Sequence, residues 1–157
     1  MKRRAYLLAG RVVTPLTLIG LKIFTAVTGR ERVRVFVTNE KNEVLLLKGV
    51  ISHRRWTLPG GGMNRNETAV AAARRELHEE TGILAPESAF KYIRTLSKPE
   101  INIPFRAPLF RITVHKDELP QKMVNPLEVT TLDWFDRHNL PSPLSQIAQF
   151  VLKEIHD

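Results

Sequence analysis

The chain has 157 residues and no cysteine, and its formal net charge is +8 at neutral pH. This length suits one domain with its own core, and the lack of cysteine excludes a disulfide framework, a thiolate metal site and a cysteine nucleophile. The positive charge is concentrated near the N terminus, where residues 1–34 carry eight basic side chains and one acidic side chain. The other 123 residues carry 16 basic and 15 acidic side chains, so the body of the protein is close to neutral.

Residues 1–30 are predicted to form a basic arm followed by an amphipathic helix. The apolar residues after the basic positions 2–4 are too few for a signal peptide, and the apolar run at 12–21 is too short to span a membrane. We therefore expect a soluble, cytoplasmic protein. Pro15 suits the first turn of a helix, and apolar residues then recur on one face as far as Gly29.

Two interpretations of this helix stay open. It packs against the domain or against a partner subunit, which would make a homodimer, or its basic face lies on an anionic membrane surface. We favour the packed helix over the peripheral membrane contact.

The rest of the chain, residues 31–157, is predicted to be one domain that alternates strands and helices. Segments in which apolar and polar residues alternate, and short continuous apolar segments, predict strands. Apolar residues at helical spacing predict a closing helix. The predicted strands are Arg32–Thr38, which alternates as a half-buried strand would, Val44–Leu47, Lys91–Leu96, Leu109–Val114 and Glu128–Phe135, and the closing helix is Ser142–His156.

A central helix is predicted over residues 68–81, after three consecutive glycines at 60–62. Asn66 is a suitable N-cap, Glu67 suits the first turn, and Gly82 is suited to ending the helix. The residues between them are mostly alanine, arginine and glutamate, which are strong helix formers.

Three carboxylates lie on one face of this helix, because Glu76, Glu79 and Glu80 are spaced i, i+3 and i+4. Like charges at this spacing repel each other by a few tenths of a kcal/mol, so folding alone does not favour them. A hard divalent cation such as Mg²⁺ or Mn²⁺ would reverse the sign, since it prefers carboxylate oxygens. The simpler alternative is a solvated acidic face.

The stretch from Gly61 to Ile83 resembles the Nudix box, the signature of the Nudix hydrolases, written G-x5-E-x7-R-E-U-x-E-E-x-G-U with U a bulky aliphatic residue. All nine specified positions match at the family's spacing. They are Gly61, Glu67, Arg75, Glu76, Leu77, Glu79, Glu80, Gly82 and Ile83. This resemblance makes the metal-binding interpretation of the three carboxylates the better one.

The resemblance implies an α/β fold, in which a mixed β-sheet lies between helices in an α/β/α sandwich, with the N-terminal helix as an addition. It also implies that Mg²⁺ or Mn²⁺ supports hydrolysis of a nucleoside diphosphate linked to another group. Its site residues would be Glu79 and Glu80 as principal metal ligands, the Gly60 carbonyl and Glu128 as further ligands, Glu76 as ligand or general base, and Glu67 and Arg75 as orienting residues.

Candidate substrate contacts lie in two loops. Arg54 and Arg55 precede the glycines and are suited to binding phosphate oxygens, although solvated loop cations are an equal interpretation. Phe105 and Arg106 lie in the proline-rich connection at 97–108, where they could stack on and pair with a base, although a hydrophobic residue at a loop tip is the commoner interpretation.

Three functions stay open at this point. We favour a hydrolase of small nucleotides, such as nucleoside triphosphates, ADP-ribose or nucleotide sugars. An RNA 5′-end pyrophosphohydrolase is encouraged by the basic arm, but the near-neutral body makes a nucleic-acid partner unlikely on physical grounds. A non-enzymatic nucleotide-sensing module is the third, and the presence of every glutamate of the box disfavours it.

Overall fold

The computed structural model describes residues 31–49, 55–118 and 129–155. The predicted N-terminal arm and helix, Arg54 and Glu128 all lie outside the described residues. Within the described part of the chain, no helix is both long enough and apolar enough to cross a membrane.

The order of strands and helices along the domain is as the sequence predicts. The elements are β1 (Arg34–Thr38), β2 (Val44–Gly49), α1 (Ala69–Thr81), β3 (Lys91–Leu96), β4 (Ala107–Thr113), β5 (Val129–Phe135) and α2 (Gln146–Glu154), with short 3₁₀ turns at Glu87–Ala89 and Lys116–Glu118.

The closing helix begins later than predicted, at Gln146 rather than Ser142. Ser145 is its N-cap, since its hydroxyl accepts a hydrogen bond from the backbone N–H of Ala148 at 3.2 Å. A serine in this position satisfies one of the donors that the first turn leaves without a partner. Before Ser145 the chain bends at Ser142 and Pro143, and Leu144 forms a bridge with Trp56.

The five strands form one mixed sheet in the order β3-β4-β1-β2-β5. β1 pairs with β4 in parallel, and the other neighbouring pairs are antiparallel. β1 and β2 are joined in register at Thr38 and Val44. Further along these strands, Leu47 pairs with Thr57, and the Val35 N–H donates to the Pro59 carbonyl at 2.9 Å. The chain leading into the glycines is therefore bonded to both central strands.

Two apolar clusters cover the two faces of the sheet. One joins Val33, Val35 and Val37 to Ala73 and Leu77 of α1. The other joins Phe36 to Ile147 and Val151 of α2, because alternate residues of a strand point to opposite faces. Full burial of a side chain such as Leu77 contributes about 1.5–3 kcal/mol. The mixed sheet thus lies between α1 and α2, which confirms the α/β/α architecture.

The prediction that the first strand is half-buried is wrong. All five residues of β1 are buried. The strand lies in the middle of the sheet, and an apolar cluster covers each of its faces. Alternate residues therefore point into two different clusters, and neither set points into solvent. Arg34 is consequently buried with only 8% of its surface exposed.

Candidate active site

Helix α1 begins at Ala69, one residue later than predicted, and its N-cap is Thr68 rather than Asn66. The Thr68 hydroxyl accepts a hydrogen bond from the Ala71 N–H at 3.2 Å. The prediction that Asn66 caps the helix is wrong, because Asn66 has a φ of 63° and lies in the turn before it. Glu67 also precedes the helix, and its carboxylate accepts from the Asn64 N–H at 2.8 Å.

The end of the helix is as predicted. Gly82 adopts the left-handed conformation with a φ of 77°, and its N–H donates to the His78 carbonyl at 2.8 Å. Glycine takes this conformation without the steric cost that a Cβ would add. The thirteen residues between the two ends carry Glu76, Glu79 and Glu80.

Glu76 is a buried carboxylate that lies against the backbone of the glycine loop. Only 9% of its surface is exposed, and a Cβ placed on Gly61 would lie 2.4 Å from its Oε2. Burial raises the pKa of Glu76 above its ordinary value, while the hydrogen bond from Arg75 acts in the opposite direction. A Cβ at position 61 would therefore displace the end of the Glu76 side chain.

Arg75 connects the carboxylates with the loop that precedes them. Its guanidinium donates to both carboxylate oxygens of Glu67 at 2.9 Å, to Glu76 Oε1 at 2.8 Å and to Glu79 Oε2 at 3.2 Å. It also donates to the Gly62 carbonyl at 2.9 Å. Such bidentate, charge-assisted bonds are among the stronger ones in proteins.

These hydrogen bonds shift the pKa values of both Arg75 and Glu67. The hydrogen bond from Arg75 lowers the pKa of Glu67, and the bonds to Glu67 and Glu76 raise the pKa of Arg75. Arg75 touches three carboxylates and one carbonyl at once, which is the geometry expected of an orienting residue.

Glu80 is tied to the other end of the glycine loop. Its Oε2 accepts a hydrogen bond from the Gly60 N–H at 2.7 Å. Gly60 has a φ of 136°, and a Cβ there would lie 2.2 Å from the Val33 carbonyl oxygen, so no other residue fits without displacing β1. The proposed contribution of the Gly60 carbonyl to metal binding stays a prediction, as does that of Glu128.

The donor set formed by Glu76, Glu79 and Glu80 fits a hard divalent cation, since it supplies only carboxylate oxygens from one side of a helix. Across residues 31–49, 55–118 and 129–155, histidine, aspartate and glutamate side chains do not form a group of three or more already gathered to hold a metal ion. Arg75 and the Gly60 N–H are the partners that hold the glutamates where they are. These partners occupy oxygens that an ion would use.

The predicted substrate contacts fall at different places. Arg55 is exposed at the edge of the segment that leads to the glycines. Arg106 is exposed and forms an ion pair with Glu31 at 3.1 Å. Phe105 is half-buried, and the structure places its ring beside two arginines, Arg32 at 5.6 Å and Arg34 at 6.0 Å from the ring centroid.

Sequence analysis did not select Arg34, whose backbone lies against the glycine loop, since a Cβ at Gly60 would lie 3.0 Å from the Arg34 Cα. Its Nη1 donates to the Val33 carbonyl at 2.9 Å, and its buried Nε has no hydrogen-bond partner. Burial lowers the pKa of Arg34 to about 10, with the charge of Arg32 adding to the effect and the charges of Glu80 and Glu76 opposing it. Arg34 is therefore still a cation at neutral pH. The sequence did contain one indication of this, because Arg34 lies two residues before Phe36 and so shares its face of the strand.

Comparison with known proteins identifies the family to which the chain belongs. The sequence model of the NUDIX domain matches residues 28–154. An RNA pyrophosphohydrolase from Haemophilus influenzae is 38% identical over 64 residues, which are 41% of this chain and 32% of that protein. The chain thus matches about a third of the length of this curated relative.

Solved structures share the fold over most of the chain. A MutT NUDIX hydrolase from Burkholderia pseudomallei has a TM-score of 0.67 and 23% identity, covering 81% of this chain and 98% of that one. An ADP-ribose pyrophosphatase from Streptococcus suis has a TM-score of 0.57 and 20% identity, covering 80% of this chain and 90% of that one. At these identities the likeness is one of fold.

Proposed function

Because the chain belongs to the NUDIX domain family, we propose that it is a divalent-metal-dependent pyrophosphohydrolase acting on a nucleoside diphosphate linked to another group. The observation that carries this proposal is the acidic face of α1. Glu76 is packed under Gly61, Glu80 is tied to the Gly60 N–H, and Arg75 holds Glu76 and Glu79.

The chemistry needs charge neutralisation more than covalent participation. A pyrophosphate carries several negative charges that repel an incoming nucleophile, and displacement at phosphorus spreads charge over the phosphoryl oxygens. A bound Mg²⁺ or Mn²⁺ would supply Lewis acidity and lower the pKa of a coordinated water. Glu79 and Glu80 are our candidates for its principal ligands, with Glu128 and the Gly60 carbonyl as further ones.

Glu76 is the candidate for either an additional ligand or the general base. Its raised pKa makes its carboxylate a better proton acceptor than an ordinary glutamate, and its packing against Gly61 keeps it in one place. Arg75 and Glu67 touch these groups rather than reacting atoms, so we assign them to positioning.

We favour small nucleotides as substrates over RNA ends. The body of the protein is nearly neutral, whereas holding several nucleotides of a strand needs several cationic phosphate contacts. The second candidate is an RNA 5′-end pyrophosphohydrolase. It is supported by the sequence similarity to the Haemophilus RNA pyrophosphohydrolase and by the basic residues near the N terminus. A homodimer through residues 1–30, a membrane contact of the same residues and a cytoplasmic location remain predictions.

A panel of substrates tests the proposal. Nucleoside triphosphates, ADP-ribose, nucleotide sugars, dinucleoside polyphosphates and a 5′-triphosphate oligonucleotide would be incubated with the full chain in Mg²⁺, in Mn²⁺ and in EDTA. We expect metal-dependent release of a nucleoside monophosphate or diphosphate from at least one small substrate. Absence of turnover on every member of the panel, with folded protein and saturating metal, would contradict the proposal.

A further inference from the structure

We propose that Arg34, Arg32 and Phe105 form an anion-binding subsite beside the glycine loop that holds the carboxylates of α1, and that this subsite binds a phosphate group of the substrate. A subsite of this kind favours nucleotides with three or more phosphates over nucleotides with two. The inference rests on the proposed function, whose substrate class it narrows.

The backbone places the two arginines together and next to the glycine loop. Residues two apart on extended chain point to the same face, so Arg32 and Arg34 project on one side. Arg32 forms a bridge with Gly62, and its N–H donates to the Arg106 carbonyl at 3.0 Å. Met63 donates to the Glu31 carbonyl at 3.0 Å on the loop side. The segment is therefore held between the glycine loop and the chain that carries Phe105.

The interactions found within the described residues do not fully compensate the positive charges of Arg34 and Arg32. Two like charges lie side by side, and one of them is buried with its Nε unpaired. An unsatisfied buried donor is costly, and a buried charge is normally paired or hydrogen-bonded. The charges of Glu80 and Glu76 favour the Arg34 cation, and the charge of Arg32 in turn acts on Glu76. The geometry agrees, because a Cβ at Gly60 would lie 3.0 Å from the Arg34 Cα and the Gly60 N–H donates to Glu80. The arginines therefore lie beside the loop that holds the carboxylates.

Phe105 provides the third part of the subsite. Its ring lies within 6.0 Å of both guanidinium carbons, a distance at which cations and aromatic rings attract each other. The Arg34 Nε has no exposed surface, so a ligand oxygen meets it only when a neighbouring side chain moves. Arg32 is half-buried and would make the first contact. Phe105 is also half-buried, on the connection between β3 and β4, and its ring is the neighbour suited to move.

Phosphate is the ligand that this chemistry favours. A guanidinium presents a planar set of donors that matches phosphate oxygens, and two adjacent guanidiniums suit a group with more than one negative charge. The edge of a guanine base also accepts hydrogen bonds from arginine, but it is neutral and would leave the repulsion between Arg32 and Arg34 uncompensated. A phosphate compensates that repulsion.

Binding of inorganic tripolyphosphate to the full chain in EDTA, measured by titration calorimetry, tests the subsite without activity. We expect binding by the unmodified chain, a loss of about tenfold or more in affinity for Arg34→Met, and partial retention for Arg34→Lys. Arg94→Met is the matched control, because it removes the same charge from a partly exposed arginine on β3 that is paired with Glu100. Equal affinities for Arg34→Met and Arg94→Met would overturn the proposal.

Turnover supplies the second measurement. The ratio of kcat/KM for a nucleoside triphosphate to kcat/KM for ADP-ribose should fall in Arg34→Met and in Arg32→Met, and stay constant in Arg94→Met. A loss confined to guanosine substrates, with unchanged tripolyphosphate affinity, would show that the arginines contact a base and would overturn the proposal. Far-ultraviolet circular dichroism checks that each variant is folded. If Arg34→Met does not fold, the Arg32→Met and Arg34→Lys results decide.

The two proposals fail in different ways. If the chain hydrolyses no nucleotide but still binds tripolyphosphate through Arg34, the proposed function is wrong and the subsite stands. If hydrolysis occurs and depends on Glu79, but the affinity for tripolyphosphate is the same with and without Arg34, the proposed subsite is wrong and the proposed function stands.

Discussion

The backbone N–H of Gly60 donates a 2.7 Å hydrogen bond to Oε2 of Glu80, a residue twenty positions later in the chain. This bond joins the loop before the helix to the last turn of the helix itself. It places a main-chain dipole next to a candidate metal ligand. The loop at Gly60 and Gly61 and the acidic face of α1 therefore form one structural unit.

Replacing Glu79 or Glu80 by glutamine is expected to lower kcat by about 10²-fold or more, because a group that stabilises charge in such a site typically contributes that much. Steady-state kinetics at saturating Mg²⁺ on the best substrate of the panel measures the effect. Glu87→Gln makes the same chemical change at an exposed position on a 3₁₀ turn and should leave kcat unchanged. Full activity of either Glu79→Gln or Glu80→Gln would show that the metal assignment is wrong.

Two neighbouring glycines offer a matched pair of substitutions. A Cβ at Gly61 would lie 2.4 Å from Glu76 Oε2, whereas a Cβ at Gly62 meets nothing within 4 Å. We expect Gly61→Ala to reduce activity by displacing the Glu76 carboxylate. Its cost in unfolding free energy should be smaller than the roughly 1–3 kcal/mol of rigid overpacking, because the end of a glutamate side chain can shift. Gly62→Ala should keep its activity and change stability by less than about 0.5 kcal/mol. Steady-state kinetics of both variants measures the difference, and equal activities would contradict the close packing of Glu76.

The ion pair between Glu67 and Arg75 predicts a dependence of stability on pH. Arg75 lowers the pKa of Glu67 below its ordinary value near 4.5, so the ionised carboxylate stabilises the folded state above that value. This stability is lost as the pH falls through the lowered pKa of the folded state. We expect Glu67→Gln to cost about 1–3 kcal/mol near neutral pH, the range for hydrogen bonds to charged groups.

Urea unfolding of Glu67→Gln and of the unmodified chain, in metal-free buffer between about pH 7 and pH 3, measures this difference. The gap in unfolding free energy should close toward the acid end, whereas Glu87→Gln should show no such closing gap. A gap that stays constant across the range would mean that Glu67 contributes through packing rather than through its charge.

The basic residues near the N terminus separate small substrates from RNA ends. Each phosphate contact to a single strand adds roughly 0.7 to the slope of log affinity against log salt. The near-neutral body offers few such contacts, so we expect kcat/KM for the best free nucleotide to exceed that for a 5′-triphosphate oligonucleotide at about 150 mM salt. Deleting residues 1–11 should change the nucleotide rate little.

A glutamine variant of Lys2, Arg3 and Arg4 serves as the control for that deletion, since it removes charge without shortening the chain. Preference for the oligonucleotide, lost in both the deletion and the glutamine variant, would move the protein to the RNA-end function.

The sequence by itself determined the features that depend on local spacing. Glu76, Glu79 and Glu80 fall on one side of α1 because a helix has 3.6 residues per turn, and Gly82 ends that helix because glycine tolerates a positive φ. The order of strands and helices also followed from periodicity and turn residues. These are properties of neighbouring residues, and no distant contact alters them.

Only the tertiary structure decided which of these groups are buried and what they touch. The N-cap of α1 is Thr68 rather than Asn66 because Glu67 is held by Asn64 and Arg75 before the helix begins. β1 is buried on both faces because apolar clusters that include α1 and α2 cover them, while β4 pairs along one edge from 75 residues away. The bond from the Val35 N–H to the Pro59 carbonyl holds the glycine loop against β1, so Arg34, which looks like a surface residue in an alternating strand, lies beside the loop that binds Glu80. Burial is set by chain segments that meet only in the folded protein, so residue spacing alone does not reveal it.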